Sequence, residues 1–402
     1  MSKRFWVIVA VIAILLVPVF MEYVFTDEEE RALPLVKITI PEDAPELTRE
    51  NWNDCRLRIK DEQGVSDFST PYLSVQGRGH STFKQPKKPY NFKLDRVRSV
   101  LGLPPRQRLV MLAGFFDHAL IRNALAHEVA RQTSLAPTTP HGRFVNVEVN
   151  GKYEGVYYLC ERVRDLVDED ALLLELDEYS LMEDKTTFRT AGLQLPISVK
   201  QPEKLSAEQL VELECCLDEI EDNLTEYIDF DTFADYFLVQ ELCRNGEPNG
   251  PRSCFIHSLS DGLLAAGPVW DFDLAFNSVY VDEKRELRPL SFGHLDGLRF
   301  LGIDSLYNKQ SLWYGRLLQD KGFVTHLKGR WDLLKPRFEG LTHFIDSLDN
   351  LIRGDAIMDQ QLWNAQDIAR FDTCKTYESA IATLRSTYCL RVEKLDSLIR
   401  DL

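Results

Sequence analysis

Residues 144–162 read FVNVEVNGKYEGVYYLCER, and little other than a β-hairpin accommodates them. Val145, Val147 and Val149 alternate with polar side chains, the period of two that puts one set on a single face of a strand. Asn150-Gly151 supplies the two-residue turn that needs φ > 0 at both positions, and Val156-Tyr157-Tyr158-Leu159 returns. Leu35–Ile40 and Leu57–Ile59 read as further strands. His118–Gln132 has helical spacing instead, with Ile121, Leu125 and Val129 on one stripe and Asp117 as the N-cap. From Ser206 the texture changes. Ala207–Asn223 and Phe230–Arg244 read as helices, strands return at Cys254–His257 and Leu263–Asp273, and residues 312–402 are mostly helical. Strands and helices are segregated, which predicts an α+β protein with a strand-rich part over about 35–165 and a helix-rich part over about 166–402.

The chain of 402 residues carries a formal net charge of −16. That charge argues against a nucleic-acid partner, whose backbone is bound through basic surfaces, but leaves room for a phosphate ligand held by a local basic cluster. At the N-terminus, Ser2-Lys3-Arg4 precedes a nearly uncharged run from Phe5 to Phe25. Roughly 17–25 apolar residues span a bilayer, and no small-residue cleavage site follows. Residues 1–26 are therefore expected to be a membrane anchor, with a cleaved signal as the rival reading, and residues 27–34 an acidic linker. Lys3 and Arg4 favour the cytoplasmic side, so the main domain is expected outside the cytoplasm, periplasmic or extracellular. Eight cysteines are scattered without a CxxC pair, which makes a zinc site improbable. Vicinal Cys215-Cys216 reads as buried thiols, and the redox state stays open.

Four stretches could carry chemistry. Gly77-Arg78-Gly79-His80-Ser81-Thr82 is followed by Lys84, Lys87, Lys88 and Lys93. Glycines admit a backbone close to an anion, while hydroxyls and lysines supply donors and charge. A phosphate loop and a solvated basic turn both fit. Glu128, on the helix with Arg122 and Asn123, is either an exposed carboxylate or an ion-pair partner that orients a lysine. Asn245-Gly246-Glu247-Pro248-Asn249 opens a breaker-rich loop, either a plain turn or a functional one. Finally, GPVWDFDLAF (267–276) places Asp271 and Asp273 one residue apart. On a strand they share one face, with Trp270, Phe272 and Leu274 on the other. Two carboxylates so placed repel unless a cation, an arginine or a proton offsets them. A hard divalent cation fits, as does the alternative that one Asp caps a turn and the other faces solvent. No HExxH, GxSxG or GxGxxG pattern is present in the sequence.

The ordered set GRGHSTF, KKPYNFKLD, LVMLAGFFDHALIRNALAHEVAR, FVNVEVNGKYEGVYYLCERV, FLVQELCRN and GPVWDFDLAF resembles the spore coat protein H (CotH) kinase family over roughly residues 73–277. The resemblance implies a divergent protein-kinase-like fold of two lobes over 35–402. It also implies ATP and Mg²⁺ (or Mn²⁺) as cofactors and phosphorylation of protein Ser/Thr. Carried over, Gly77, Arg78, Gly79, Ser81 and Thr82 would cover the phosphates. Lys93 would contact them with Glu128 as its partner, and Glu161 and Arg162 would form the hinge against adenine. Asp271 would bind the metal with Asp273 beside it. The family's Asn-x-Asp is replaced here by Asn245-Gly246-Glu247, so Glu247 stands where the catalytic carboxylate is expected. A catalytically weak surface or coat assembly protein, or a transferase acting on a small molecule or sugar, are the alternatives.

Overall fold

The computed structural model describes residues 33–61, 64–66, 73–183, 186–276, 280–281, 287–288, 303–363, 374 and 376–402. The expected anchor (1–26) lies outside the described residues, as does most of the acidic linker. No helix among the described residues is long and apolar enough to cross a membrane.

The architecture is α+β, as the segregation predicts. Strands β1 (Leu35–Thr39), β2 (Asn53–Asp61), β3 (Gly64–Ser66), β4 (Leu73–Gly77), β5 (Tyr90–Arg98) and β6 (Arg106–Leu112) come first, then helix α1 (Arg122–Arg131). The hairpin follows as β7 (Gly142–Val149) and β8 (Lys152–Glu161). Its turn is as expected, with φ of +49° at Asn150 and +81° at Gly151. The sheet order is β1-β7-β8-β6-β5-β4-β2-β3, and β1 pairs with β2 as well. The sheet therefore closes on itself as a barrel, with β3 hanging on β2. The β1–β7 seam is parallel and β1–β2 antiparallel. Closure removes the open edges that a sheet otherwise leaves unpaired.

Alternation decides what fills the barrel. Val36 and Ile38, Leu57 and Ile59, Phe92 and Leu94, Val145 and Val147, and Tyr157 and Leu159 form one buried cluster. Lys93 stands between Phe92 and Leu94 and so points the other way, exposed on the outer face, beside Ser74 and Arg108 in the ladder. The outer faces of β6 and β8 are buried too. Val110, Val156, Tyr158 and Cys160 pack with α1 in the main core. Helix α1 begins later than its spacing suggests, because Leu120 has φ +60°. Asp117 is therefore not its N-cap, which is Ile121 with no side-chain cap, although the Asp117 carboxylate does accept from the Arg122 N–H at 2.8 Å.

The second part holds its own antiparallel sheet, built from β9 (Leu173–Leu176), β10 (Thr187–Arg189), β11 (Pro196–Gln201), β12 (Cys254–Ser258) and β13 (Leu264–Ala266). Their order is β10-β11-β9-β12-β13. Helices α2 (Ala207–Asp222) and α3 (Phe230–Leu242) are inserted before β12, and α4 (Lys321–Gly340), α5 (Thr342–Leu362) and α6 (Tyr377–Arg400) complete the core. Two expectations fail here. The strand predicted over Leu263–Asp273 ends at Ala266, where Gly267 takes φ +102°. Cys215 and Cys216 are exposed on α2 rather than buried, and the eight cysteines are free thiols.

Helix α5 lies against β8 and is fixed there by a buried ion pair. Lys87 Nζ meets Asp359 Oδ2 at 2.5 Å with both side chains at most 8% exposed. Asp359 also accepts from the Val156 N–H at 2.7 Å. Residue 155 must be glycine for this contact: φ is +93°, and a Cβ there would sit 2.1 Å from the Asp359 carboxylate. Lys87, read as part of a phosphate-binding cluster, is thus committed to packing.

Candidate active site

A cleft of about 510 Å³ opens where the barrel rim meets the second sheet. The rim contributes the loop after β4 (Arg78 to Thr82), Leu112 and Ala113 after β6, and Arg162 and Val163 after β8. The far wall contributes Glu175, Asp177 and Lys200 from the second sheet, then Glu247, Arg252, Ser253 and the segment Trp270–Leu274.

Asp271 and Asp273 both reach the cleft, but not as neighbours on a strand. Asp271 has φ +62°, a left-handed conformation that a non-glycine residue holds only when its surroundings fix it. That bend replaces strand geometry in bringing the carboxylates to one place. From the α1 side, Asn123 Nδ2 donates to Asp273 Oδ1 through a short hydrogen bond. Asn123 Oδ1 accepts from the Phe272 N–H at 3.0 Å. From the other side Ser253 Oγ donates to Asp271 at 3.5 Å. Asn245 links the two limbs, donating to the Asp271 carbonyl at 3.4 Å and accepting from the Glu247 N–H at 3.3 Å. Asp177 caps the turn after β9 through the Tyr179 N–H at 2.7 Å and takes the Ser253 N–H at 3.2 Å.

This gathering of carboxylates has an electrostatic signature. Burial, then repulsion from Asp271 and Asp117, raises the Asp273 carboxyl to about 7, against the opposing pull of Asn123 and Arg78. Burial and the Asp271 charge raise Glu247 to about 8, with Arg252 opposing. Burial raises Asp271 as well, and Arg78 counters it. The opposing cation is Arg78, whose guanidinium lies 5.5 Å from the Trp270 ring. Burial lowers its pKa, while Cys160, Asp271 and Asp273 hold it up. Arg252 stacks 4.7 Å over Tyr179, and Lys200 pairs with Glu175 at 2.8 Å.

Of the residues singled out in the sequence, Arg78, Gly79, Ser81, Thr82, Arg162, Glu247, Asp271 and Asp273 line the cleft. Four others are placed elsewhere. Lys93 is on the outside of the barrel, for the alternation reason given above. Glu128 bonds Arg131 at 3.0 Å and Gln132 at 2.6 Å on its own helix and is no partner of Lys93. Glu161 is buried against Arg106 at 2.7 Å and the His141 N–H at 3.0 Å. Gly77 stands behind the loop, glycine because a Cβ would sit 2.1 Å from the Phe83 ring. Asp177, Lys200 and the bracing role of Asn123 carried no sequence signal of their own, whereas Arg252 belongs to the breaker-rich loop that opens at Asn245 and reaches the cleft with it.

No group of three or more His, Cys, Asp or Glu side chains among the described residues forms a metal site by itself. A hard cation that draws its remaining ligands from phosphate and water needs only one or two carboxylates, and the Asp271–Asp273 donor set suits that mode.

The family model described as CotH kinase protein matches residues 75–392, the bulk of the chain. The chain belongs to the CotH kinase family. Among curated proteins no match is found. Family membership suggests a kinase-like function, and the matched span contains every cleft residue named above.

Proposed function

We propose that this CotH kinase family protein binds ATP with Mg²⁺ or Mn²⁺ in the cleft and transfers the γ-phosphoryl group to a protein Ser/Thr hydroxyl. The observation that carries the reading is the convergence of Glu247, Asp271 and Asp273 opposite Arg78 and the Gly79–Thr82 loop. On this reading the barrel is the nucleotide lobe of a two-lobed kinase-like fold. Leu112, Ala113 and Val163 offer apolar surface to the base, with Arg162 at its edge. Arg78, Ser81 and Thr82 donate to the phosphates. Asp271 and Asp273 would hold the divalent cation, which offsets phosphate charge when bound. Glu247 accepts the proton of the acceptor hydroxyl as its oxygen attacks the γ-phosphorus in line and ADP leaves. In the metal-free cleft, burial and the Asp271 charge keep this carboxyl protonated near neutral pH, so the base role depends on a bound cation that offsets the Asp271 charge. The Lys3-Arg4 flank supports a main domain outside the cytoplasm, and C-terminal reporter fusions active only in the cytoplasm would refute that placement.

A second reading is a nucleotide-binding protein without efficient transfer. One observation favours it: Glu247 is a methylene longer than the family's aspartate, and about 1 Å of misplacement can cost on the order of 100-fold in rate. The full-length protein in detergent separates the readings. ATP with Mg²⁺ should raise its melting temperature, and labelled phosphate should pass to a protein acceptor in the wild type but not in Asp271→Ala. No stabilisation by millimolar nucleotide with either metal ends the nucleotide reading. Stabilisation without transfer selects the second.

A further inference from the structure

Helix α1 reaches the cleft through an amide. Asn123 is 6% exposed, and its one side chain serves two parts of the same segment. Oδ1 takes the Phe272 N–H at 3.0 Å, while Nδ2 donates to Asp273 Oδ1. The gripped segment is the one in which Asp271 adopts φ +62°. One turn further along α1, His127 stacks on Trp270 with ring centroids 6.1 Å apart and 28° between planes. Residues four apart lie on one helix face, so a single face of α1 supports the chain from Trp270 to Asp273. Burial holds the His127 imidazole well below its ordinary pKa, at about 3, so this support stays neutral and adds no charge beside the carboxylates.

We propose that Asn123 is a positioning residue for cation binding. It aims the second carboxylate oxygen of Asp273 into the cleft and holds the Phe272 N–H so that Asp271 keeps its left-handed bend. An amide suits the task because it offers a donor to a carboxylate and an acceptor to a backbone N–H at once. Leucine or aspartate of similar size offers at most one of the two. The proposal rests on the reading of the cleft as a nucleotide and divalent-cation site, and it transfers the helix's contribution from Glu128 to Asn123.

The test measures Mn²⁺ uptake by the full-length protein in detergent, from the electron paramagnetic resonance signal of free Mn²⁺ with a non-hydrolysable ATP analogue present. Asn123→Ala should weaken Mn²⁺ binding by about tenfold or more, the expected size for losing a hydrogen bond to a charged group. Its affinity for the analogue in the presence of EDTA should match the wild type, because the phosphate loop is untouched. A general folding defect would lower both. If the alanine variant does not fold, Asn123→Ser, which keeps one hydroxyl in place of the amide, carries the same comparison. Wild-type Mn²⁺ affinity in a folded variant overturns the proposal. A wild-type protein that takes up no Mn²⁺ with the analogue overturns the functional reading, and this inference with it.

Discussion

Arg78 lies in a glycine-flanked loop, over the Trp270 ring and facing two aspartates. An arginine keeps its charge under such burial, where a lysine is more readily deprotonated. Its fork can donate to two phosphate oxygens together, so on the proposed reading Arg78 takes over the contact first assigned to Lys93. Arg78→Ala should weaken ATP binding by about tenfold or more. Lys93→Ala, on the exposed outer face of the barrel, should leave it unchanged, and calorimetric titration of the two variants checks both. Glu247 carries a pH prediction. Its carboxyl is raised from 4.5 to about 8 in the folded protein. Through that window the native state holds a proton that the unfolded chain has already released. Stability of the metal-free protein is therefore highest below the window and is lost as pH rises through it. Melting temperatures across the range should fall with pH in the wild type and fall less in Glu247→Gln, which does not titrate.

At the scale of elements, helix α5 fastens the barrel to the helical core through Lys87 and Asp359. Burial alone pushes each toward its neutral form, and their mutual attraction opposes this in both. Removing one partner leaves the other buried and unpaired, at a cost of about 3–5 kcal/mol. Asp359→Ala should therefore lower the denaturant midpoint sharply, and Lys87→Met with Asp359→Leu should recover much of the loss. Which elements form was largely legible in the sequence, because the alternation of Val145, Val147 and Val149 and the Asn150-Gly151 turn are local signals. The cleft was legible only where chemistry and position coincide. Asp271 and Asp273 were found although the strand argument for them was wrong, since a left-handed residue and two asparagines do the work of pleating. Lys87 was misplaced for a different reason: its burial depends on Asp359, far along the chain, and no sequence neighbour signals it. Lys93, between Phe92 and Leu94, and Glu128, one turn from Arg131 and Gln132, did carry local signals, which the family resemblance overrode.

At the scale of the whole molecule, the family match begins at residue 75, inside β4. The strands ahead of it, β1 and β2, are nonetheless part of the barrel, because they complete the ring between β7 and β4. The cleft rim therefore depends on residues that lie before the matched span. Arg49, which follows β1, lines the cleft and donates to the Gly79 carbonyl at 3.5 Å. The parallel β1–β7 seam also sets an order of events in time. When β1 leaves the ribosome its antiparallel neighbour β2 soon follows, but β7 is about a hundred residues behind. At roughly 5–20 residues per second of synthesis, one edge of β1 waits on the order of ten seconds for its partner. Until β7 is made the ring cannot close, so the seal of the barrel waits on that strand.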